Sequence, residues 1–387
     1  MLKANTGSST NAIAKIAGQE AAKAAITNLD GVKMAFVYAS CAYNIGDLIA
    51  GVQSTLPGIP IIGNTSFTGI ITPDGFISSD HGFVGVMALA DEHMIVGTST
   101  TAKGTNAIED GKTAAKKAMI AAGKTTPPDY FYMVASPAEE EFYLKGITQV
   151  IGRVPFFGGS AADNSISGEW TLYSDKGSCP DGVALAFFYS DKHISNQFTG
   201  AYHETSDMGI ITKVNDNREL VEIDGEPALK KYAAWRGMDP ESLKGANLLV
   251  ASIVSPLGVK DRLGDLTAIR HPMNGNDDYS MALGNNLAEG TAIIRMEATI
   301  DELIDSTGSN LNILKETMIT PGAYHLVHCG GRRAGIDSRI DEVAAQFIEA
   351  AAGVPFIVEF TFGEYGFVGD DRNTCGGLML SFTGFES

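Results

Sequence analysis

The chain contains a segment of its own sequence twice, about 95 residues apart. Asn11-Ala12-Ile13 recurs as Asn106-Ala107-Ile108, and Pro60-Ile61-Ile62-Gly63 recurs as Pro155-Phe156-Phe157-Gly158. A repeat of this length is a folding unit rather than a short stacking repeat. Two such units can face each other and form a pocket between them.

Each copy predicts the same order of elements: helix, strand, helix, strand. Apolar residues recur at helical spacing after Asn11 and after Asn106, and short apolar runs end at Ala39 and Ala135. Strands joined through helices by short loops pair at least partly in parallel. We therefore expect a mixed α/β fold built from duplicated α-β-α-β units with partly parallel sheets. The predicted bounds are strand 33–39, helix 45–55 and strand 60–63 in the first copy, and helix 107–122, strand 130–135, helix 138–151 and strand 154–158 in the second.

A weaker third copy is predicted near the C-terminus, where Cys329 occupies the position that Ser40 and Ser136 hold in the first two copies. The small and hydroxyl residues at these strand ends lie where α/β proteins usually bind ligands. The expected elements of the third copy are helix 300–316, strand 324–328, helix 338–351 and strand 355–360.

The change of pattern near residue 205 predicts two domains. The first covers 1–205 and contains the duplication, at about 11–100 and 106–200, and the second covers 206–387. The apolar run Leu248–Val254 in the second domain predicts a strand.

Composition limits the partners of the chain. Its 387 residues carry a formal net charge of −18 and no cluster of Lys or Arg, so nucleic acid and anionic membrane are not expected partners. No run of apolar residues is long enough to span a bilayer, and no secretory signal is recognised at the N-terminus. The four cysteines form no Cys-x-x-Cys pair, which is typical of reduced thiols in a cytoplasmic protein.

Several segments together resemble the motifs of one known family. Phe157–Asp163 resembles the central motif and is the most specific match, and Ile61–Gly69 resembles the first glycine- and hydroxyl-rich turn. Ile70 departs from the family, which often has Glu there. The remaining segments that carry the resemblance are Ala268–Arg270, Cys329–Arg332, Phe362–Gly366 and Asn373-Thr374.

The resemblance implies an N-terminal FIST domain followed by a C-terminal one, and a sensory role in intracellular signal transduction. It implies a small polar ligand such as an amino acid, and a separate signalling protein, such as a kinase or a receptor output module, that reads the bound state. We therefore expect a binding protein rather than an enzyme, with no cofactor. Some relatives are similar to haem-based nitric oxide sensors, so a haem-based gas sensor is one alternative.

The candidate ligand site combines turn residues with charged side chains. Backbone NH groups of Gly158 and Gly159 can approach a carboxylate closely, and Ser160 and Asp163 can add side-chain hydrogen bonds. The alternative is a tight turn held by an Asx-type hydrogen bond. The predicted ligand-binding residues are Ser40, Thr65, Gly158, Gly159, Ser160, Asp163, Arg270, Cys329, Arg332 and Glu364.

The charged members of this set indicate a zwitterionic ligand. Arg270 and Arg332 could bind its carboxylate, and Glu364 could bind its ammonium group. A structural ion pair between Arg332 and Glu364 is an equally good interpretation.

Two chemical alternatives stay open. Ser160 lies in a pattern similar to the Gly-x-Ser-x-Gly nucleophile elbow, and Cys329 follows a strand, so either could serve a hydrolase or transferase. His325, His328 and Cys329 look like metal ligands, but alternation along a strand places His328 on the opposite face, so no metal is predicted. A single histidine in an apolar pocket would suffice for haem.

Overall fold

The computed structural model describes residues 1–260, 267–368 and 372–387, and it contains three α/β units of one plan. The first two units correspond to the duplicated sequence. Unit 1 contains β1 (Lys3–Ser9), α1 (Ala14–Ala25), β2 (Val32–Ala39), α2 (Ile45–Thr55), β3 (Ile61–Thr65), β4 (Ile70–Thr72), β5 (Gly75–Ile77) and β6 (Val84–Ala90). Unit 2 contains β7 (Ile95–Ala102), α3 (Ala107–Ala121), β8 (Tyr130–Ala135), α4 (Glu140–Ile151), β9 (Phe156–Ser160), β10 (Leu172–Ser174), β11 (Gly177–Cys179) and β12 (Gly182–Tyr189).

Unit 3 is interrupted after its first strand, β13 (Ile194–Thr199), by residues 203–297, which we call the insertion. The insertion contains β14 (His203–Asn215), β15 (Glu219–Ile223), β16 (Glu226–Pro227), α5 (Ala228–Trp235), β17 (Leu257–Lys260), β18 (Thr267–Arg270), β19 (Pro272–Gly275), β20 (Met281–Leu283) and β21 (Ala292–Glu297). Unit 3 resumes with α6 (Ile300–Glu316), β22 (Pro321–Cys329), α7 (Gly330–Ile336), α8 (Ile340–Ala351), β23 (Phe356–Thr361), β24 (Glu364–Val368), β25 (Arg372–Gly376) and β26 (Leu380–Glu386).

The three units have the same strand order, β1-β6-β2-β3, β7-β12-β8-β9 and β13-β26-β22-β23. In each unit the last two strands of this order are parallel, and the others are antiparallel. The expected mixed α/β fold with partly parallel sheets is therefore confirmed. The helices cover the outer faces of the sheets. Glycine lets α2 approach α1 and α4 approach α3 closely. A Cβ at Gly51 would lie 2.1 Å from Lys15 O, and one at Gly146 would lie 2.0 Å from Ile108 O.

The units interlock in a closed ring. The hairpin of β4 and β5 extends the sheet of unit 3, that of β10 and β11 extends the sheet of unit 1, and that of β24 and β25 extends the sheet of unit 2. Three backbone hydrogen bonds repeat this exchange: Phe67 N to Phe360 O (3.0 Å), Ala162 N to Thr65 O (2.9 Å), and Phe362 N to Ser160 O (3.2 Å). The result is a pseudo-threefold body in which each of these three sheets contains strands of two units, while the insertion strands form a fourth sheet.

The interior of the ring is an aromatic core shared by all three units. Phe36 of unit 1 lies within 6.5 Å, between ring centroids, of Tyr132, Phe188, His325 and Phe385. Burying one such phenylalanine stabilises the fold by roughly 1.5–3 kcal/mol. The insertion has its own core around Leu220, Leu229, Tyr232 and Ile293. In the described ranges no helix is both long and apolar enough to cross a membrane.

The prediction of a strand over Leu248–Val254 is wrong. These residues form consecutive turns, in which Leu249 N bonds Asn247 Oδ1 (2.9 Å) and Ser252 N bonds Leu248 O (2.9 Å). A short apolar run fits a strand or a helical turn equally well, and here the Asx-type bond of Asn247 starts a turn.

Candidate functional site

The strand ends at Ser40, Ser136 and Cys329 are structurally equivalent, as the repeat predicts. The backbone NH of each bonds a carbonyl of the neighbouring antiparallel segment: Ser40 to Phe83 O (2.9 Å), Ser136 to Gly182 O (2.9 Å), and Cys329 to Met379 O (3.3 Å). The three turns that follow differ in what covers them.

In the turns after Ser40 and Ser136, the serine hydroxyl group is engaged by other protein groups. Ser40 Oγ accepts hydrogen bonds from Ala42 N (3.2 Å) and from Asn164 Nδ2 (3.3 Å), and Ser136 Oγ accepts one from Gly182 N (3.1 Å). Both serines are buried, with 0–1% exposed. We call these two the closed turns. Their hydroxyl groups are already engaged by neighbouring protein groups.

The turn after Cys329 opens onto a cavity of about 510 Å³, and we call it the open turn. Unit 2 contributes the turn after Ser136 and the loop after Asp163 to the walls, unit 3 contributes the start of α7 and the segments at Phe362 and Leu378, and the insertion contributes the rest. A cavity of this size suits one small organic molecule. The lining residues are Pro137, Ala138, Ile166, Ser167, Gly168, Trp170, Arg218, Leu249, Val250, Ile253, His271, Met273, Leu283, Gly284, Asn285, Cys329, Gly330, Gly331, Ala334, Phe362, Gly377 and Leu378.

Asp163 holds the loop that forms one wall. Its carboxylate accepts six hydrogen bonds from the backbone NH groups of residues 165–169. Burial raises the pKa of Asp163, but the backbone donors outweigh burial and the pKa is lowered overall. Asp163 therefore shapes the cavity by fixing Ile166 to Trp170 rather than by lining it.

His271 contributes an uncharged imidazole to the wall. Burial lowers its pKa to about 4, so the ring is neutral at physiological pH. Its Nε2 lies 2.7 Å from Leu249 O. Because a carbonyl only accepts, Nε2 carries the proton and Nδ1 is an acceptor.

Arg218 joins the insertion to unit 2 at the rim of the cavity. It donates to Glu141 Oε2 (2.7 Å) and to Asn286 Oδ1 (3.1 Å), and it lies 3.2 Å from Glu140 Oε2. Burial and the neighbouring Glu141 raise the pKa of Glu140 to about 7. The guanidinium charge is therefore matched by protein carboxylates.

The predicted arginines and Glu364 lie outside the cavity lining. Arg332 is fully buried and donates to Gly200 O (2.6 Å), Leu303 O (2.9 Å) and Ser306 Oγ (2.6 Å). Arg270 donates to Asn286 O (3.1 Å) and to Ile269 O (3.1 Å).

Glu364 accepts hydrogen bonds from Thr361 Oγ1 (2.9 Å) and Met379 N (2.8 Å), and burial raises its pKa to about 8. Within the described residues Arg332 and Glu364 make no salt bridge. The structure therefore does not bring the three charged residues together as a clamp for a zwitterion.

The other predicted residues belong to the ring itself. Ser160 Oγ lies 2.6 Å from Tyr365 OH, and Thr65 Oγ1 accepts a hydrogen bond from Thr171 N (2.9 Å). A Cβ at Gly158 would lie 1.9 Å from Met133 O, and one at Gly159 would lie 2.5 Å from Thr361 Cγ2. These glycines allow close strand packing. Of the ten predicted residues, Cys329 lines the described cavity.

The two residues named for a nucleophile, Ser160 and Cys329, are both buried. Burial, reinforced by Glu364, raises the pKa of the Cys329 thiol well above its ordinary value. Ser160 is fully buried, and its side-chain partner in the described part of the chain is the Tyr365 hydroxyl. A nucleophile needs a nearby general base or a lowered pKa. The Cys329 thiol hydrogen-bonds the Glu364 carboxyl, and the hydrolase or transferase alternative stays a prediction.

Haem bound through histidine needs a free imidazole nitrogen in an apolar pocket. His271 is the histidine among the described lining residues, and its Nε2 already bonds Leu249 O. His325 and His328 are fully buried and do not line the cavity. His271 Nδ1 is left as an acceptor in the wall, so one imidazole nitrogen there could bind iron, and the haem alternative stays a prediction.

A second polar cluster lies in the core of the ring. Asn64 donates to Glu359 Oε2 (2.9 Å), and Tyr132 OH donates to Glu359 Oε1 (3.0 Å), while Tyr38 OH contacts both Tyr132 and His325. Burial lowers the pKa of His325 to about 3 and raises that of Glu359 to about 7. The His325–Glu359 contact of 3.5 Å is therefore not an ion pair at neutral pH. All five side chains are fully buried, so we interpret the cluster as a polar network of the core.

Sequence reasoning missed the insertion's part in the site. His271 and Asn285 of the insertion line the cavity together with Trp170 of unit 2, but the three residues belong to separate segments with no common spacing. The Gly284-Asn285-Asn286 run was a weak signal, because Gly and Asn also mark ordinary turns.

Comparison with known families agrees with this architecture. The chain matches the FIST N domain over residues 33–226 and the FIST C domain over residues 228–366. The two matches cover most of the chain, so the protein belongs to the FIST family, whose domains are associated with sensory signal transduction. The family predicted from the sequence is thereby confirmed. The two matched regions share sheets, because β4 of the first pairs with β23 of the second.

Solved structures give only distant similarity. A cyanuric acid hydrolase from A. caulinodans is 12% identical, with full coverage of both chains and a TM-score of 0.34. PurL of Thermotoga maritima complexed with AMPPCP is 10% identical, with coverage of 100% of this chain and 72% of that chain and a TM-score of 0.24. Likenesses at this level carry no functional argument. No curated protein sequence matches the chain.

Proposed function

We propose that the protein senses a small molecule that binds in the cavity at the open turn. The observation that carries this proposal is that segments of unit 2, unit 3 and the insertion converge on one cavity beside Cys329, while the hydroxyl groups at the two equivalent strand ends are engaged by protein groups. A ligand there touches unit 2, unit 3 and the insertion at the same time. Sensing needs such a position, because a ligand shifts a conformational equilibrium only if it contacts the states differently.

The insertion is the part whose position a ligand would bias. It contributes Leu249, Val250 and Ile253 to one wall, and α7 contributes Ala334 to another. A bound molecule that contacts both walls favours the arrangement in which they are close. In this proposal a separate signalling protein, such as a kinase or a receptor output module in the cytoplasm, reads that arrangement. No covalent step is part of the proposal.

The ligand class expected from the family, a polar metabolite such as an amino acid, stays a prediction. A free cationic group and a free anionic group in one pocket would favour a zwitterion. In the cavity wall Arg218 is engaged by Glu141. Among the described lining residues, Arg218 therefore does not offer an amino acid a free cation.

A cavity-filling variant tests the proposed site. Ala334→Phe places a ring in the cavity, and we expect it to abolish the thermal stabilisation caused by any ligand found in a small-molecule screen. Ala234→Phe is the matched control, because Ala234 lies exposed on α5 away from the lining. Equal ligand-induced shifts in both variants would show that the cavity is not the binding site.

A further inference from the structure

Asn285 is the polar side chain of the cavity wall that most needs a partner. It is only 1% exposed, and its Oδ1 has no hydrogen-bond partner among the described residues. A buried acceptor without a partner is unfavourable, so native proteins rarely keep one without a reason. Asn64 shows the usual alternative, because its side chain bonds both Glu359 (2.9 Å) and Tyr132 (3.1 Å).

The other polar groups of the wall are uncharged or already paired. His271 is neutral, Cys329 is a protonated thiol, and Arg218 is bound to Glu141. A charged ligand would lose its hydration without meeting an opposite charge that is free, which is costly. The wall therefore disfavours ions and zwitterions.

The rest of the cavity surface is apolar and partly aromatic. Trp170 and Phe362 meet edge to face, with centroids 6.2 Å apart, and Leu249, Ile253 and Leu378 complete the apolar surface. An apolar or aromatic ligand body gains by leaving water in such a cavity.

We propose that the ligand is an uncharged small molecule with an apolar or aromatic body and an N–H or O–H group that donates to Asn285 Oδ1. This assignment rests on the proposed function, because it names the ligand class of the same cavity. Asn285 then sets specificity, since a molecule without the donor leaves its buried oxygen unsatisfied.

Three probe molecules separate this class from the alternatives: indole, 1-methylindole and tryptophan. Indole has the donor, 1-methylindole has a similar body without it, and tryptophan adds a zwitterion. By isothermal titration calorimetry on the full chain, we expect indole to bind about tenfold more tightly than 1-methylindole, from the loss of one buried hydrogen bond. Tryptophan should bind more weakly than indole.

Substitution of Asn285 gives the matched protein-side test. Asn285→Leu should abolish the preference for indole over 1-methylindole and should leave the unliganded protein at least as stable, because an unsatisfied acceptor is removed. Asn64→Leu, which breaks three buried hydrogen bonds, should lower the melting temperature clearly. Asn285→Ala is the second variant if the leucine does not fit.

The outcomes distinguish this inference from the proposed function. Equal binding of indole and 1-methylindole, tightest binding of tryptophan, or no binding of any probe would each overturn the ligand class. A screening hit of another class that Ala334→Phe blocks would still support the sensory cavity. Loss of stability in Asn285→Leu as large as in Asn64→Leu would make Asn285 a structural residue and also overturn the inference.

Discussion

The closed turn at Ser40 and the open turn at Cys329 have the same place in equivalent units, yet only the second borders the cavity. In the closed turn, Asn164 of unit 2 donates to Ser40 and fills the space. At the open turn, Cys329 is faced by the insertion, whose residues stand back from it across the cavity. A repeated scaffold can thus acquire one binding site by covering one of its equivalent positions differently.

The largest effect is expected for the loop after Asp163, which contacts Ser40 through Asn164 and lines the cavity at the open turn. Asp163→Ala removes six hydrogen bonds to backbone NH groups, so the wall from Ile166 to Trp170 should lose its shape. We expect the free energy of unfolding to fall by at least about 3 kcal/mol, because hydrogen bonds to a buried charge are strong. Urea denaturation measures this. The exposed Asp80→Ala should change little, and equal effects of the two substitutions would contradict this role.

The second test breaks the ion pairs that join Arg218 of the insertion to unit 2. Arg218→Met leaves Glu140 and Glu141 without their cation, and we expect a loss of about 2 kcal/mol in stability and weaker ligand binding. The exposed Arg339, which pairs with Asp301 and Glu342, is the control, because surface ion pairs contribute about 1 kcal/mol or less. If Arg218→Met kept full ligand affinity, the insertion would not need this anchor to form the cavity.

The raised pKa of Glu364, which lies close to the open turn, leads us to expect that the free energy of unfolding depends on pH. Burial raises its folded-state pKa to about 8, so between its ordinary pKa of 4.5 and about 8 the folded protein holds a proton that the unfolded chain lacks. Its contribution is therefore complete below pH 4.5 and is lost as the pH rises towards 8. Urea unfolding at pH 6.5 and 8.5 should show a smaller loss in Glu364→Gln than in the wild type.

The histidines act in the opposite direction. The folded-state pKa values of His271 and His325, about 4 and 3, lie below the ordinary 6.5. Their contribution is present above pH 6.5 and is lost on acidification. The loss of stability at alkaline pH is therefore caused by the carboxyl groups. If the free energy of unfolding fell equally between pH 6.5 and 8.5 in the wild type and in Glu364→Gln, Glu364 would not be one of them.

The smallest effect is expected when the open turn is given the residue of the closed turns. Cys329→Ser keeps an acceptor for Gly331 N, which lies 3.2 Å from the sulfur, but it exchanges a soft, weakly polar group for a hydroxyl in an apolar wall. We expect a loss of about 1 kcal/mol and a cavity that still binds ligand. Complete loss of binding in this variant would show that the thiol itself recognises the ligand.

Repetition made the scaffold predictable. The positions of Ser40, Ser136 and Cys329 could be aligned from spacing alone, because helices and strands follow local apolar periodicity. The turn at Leu248–Val254 could not be predicted from the sequence, since a short apolar run has no distinctive period. Arg332 was also ambiguous, because the side chain of an arginine suits a ligand carboxylate and a set of backbone carbonyls equally well.

The sequence by itself determined the family, the mixed α/β class and the equivalence of the three strand ends, since each depends on residues close together in the chain. Only the tertiary structure decided that the three units close into a ring and that the insertion stands over Cys329. These features depend on pairings between residues hundreds of positions apart, such as Ile70 with Glu359. The cavity at the open turn exists because of those distant pairings, which local apolar periodicity does not predict.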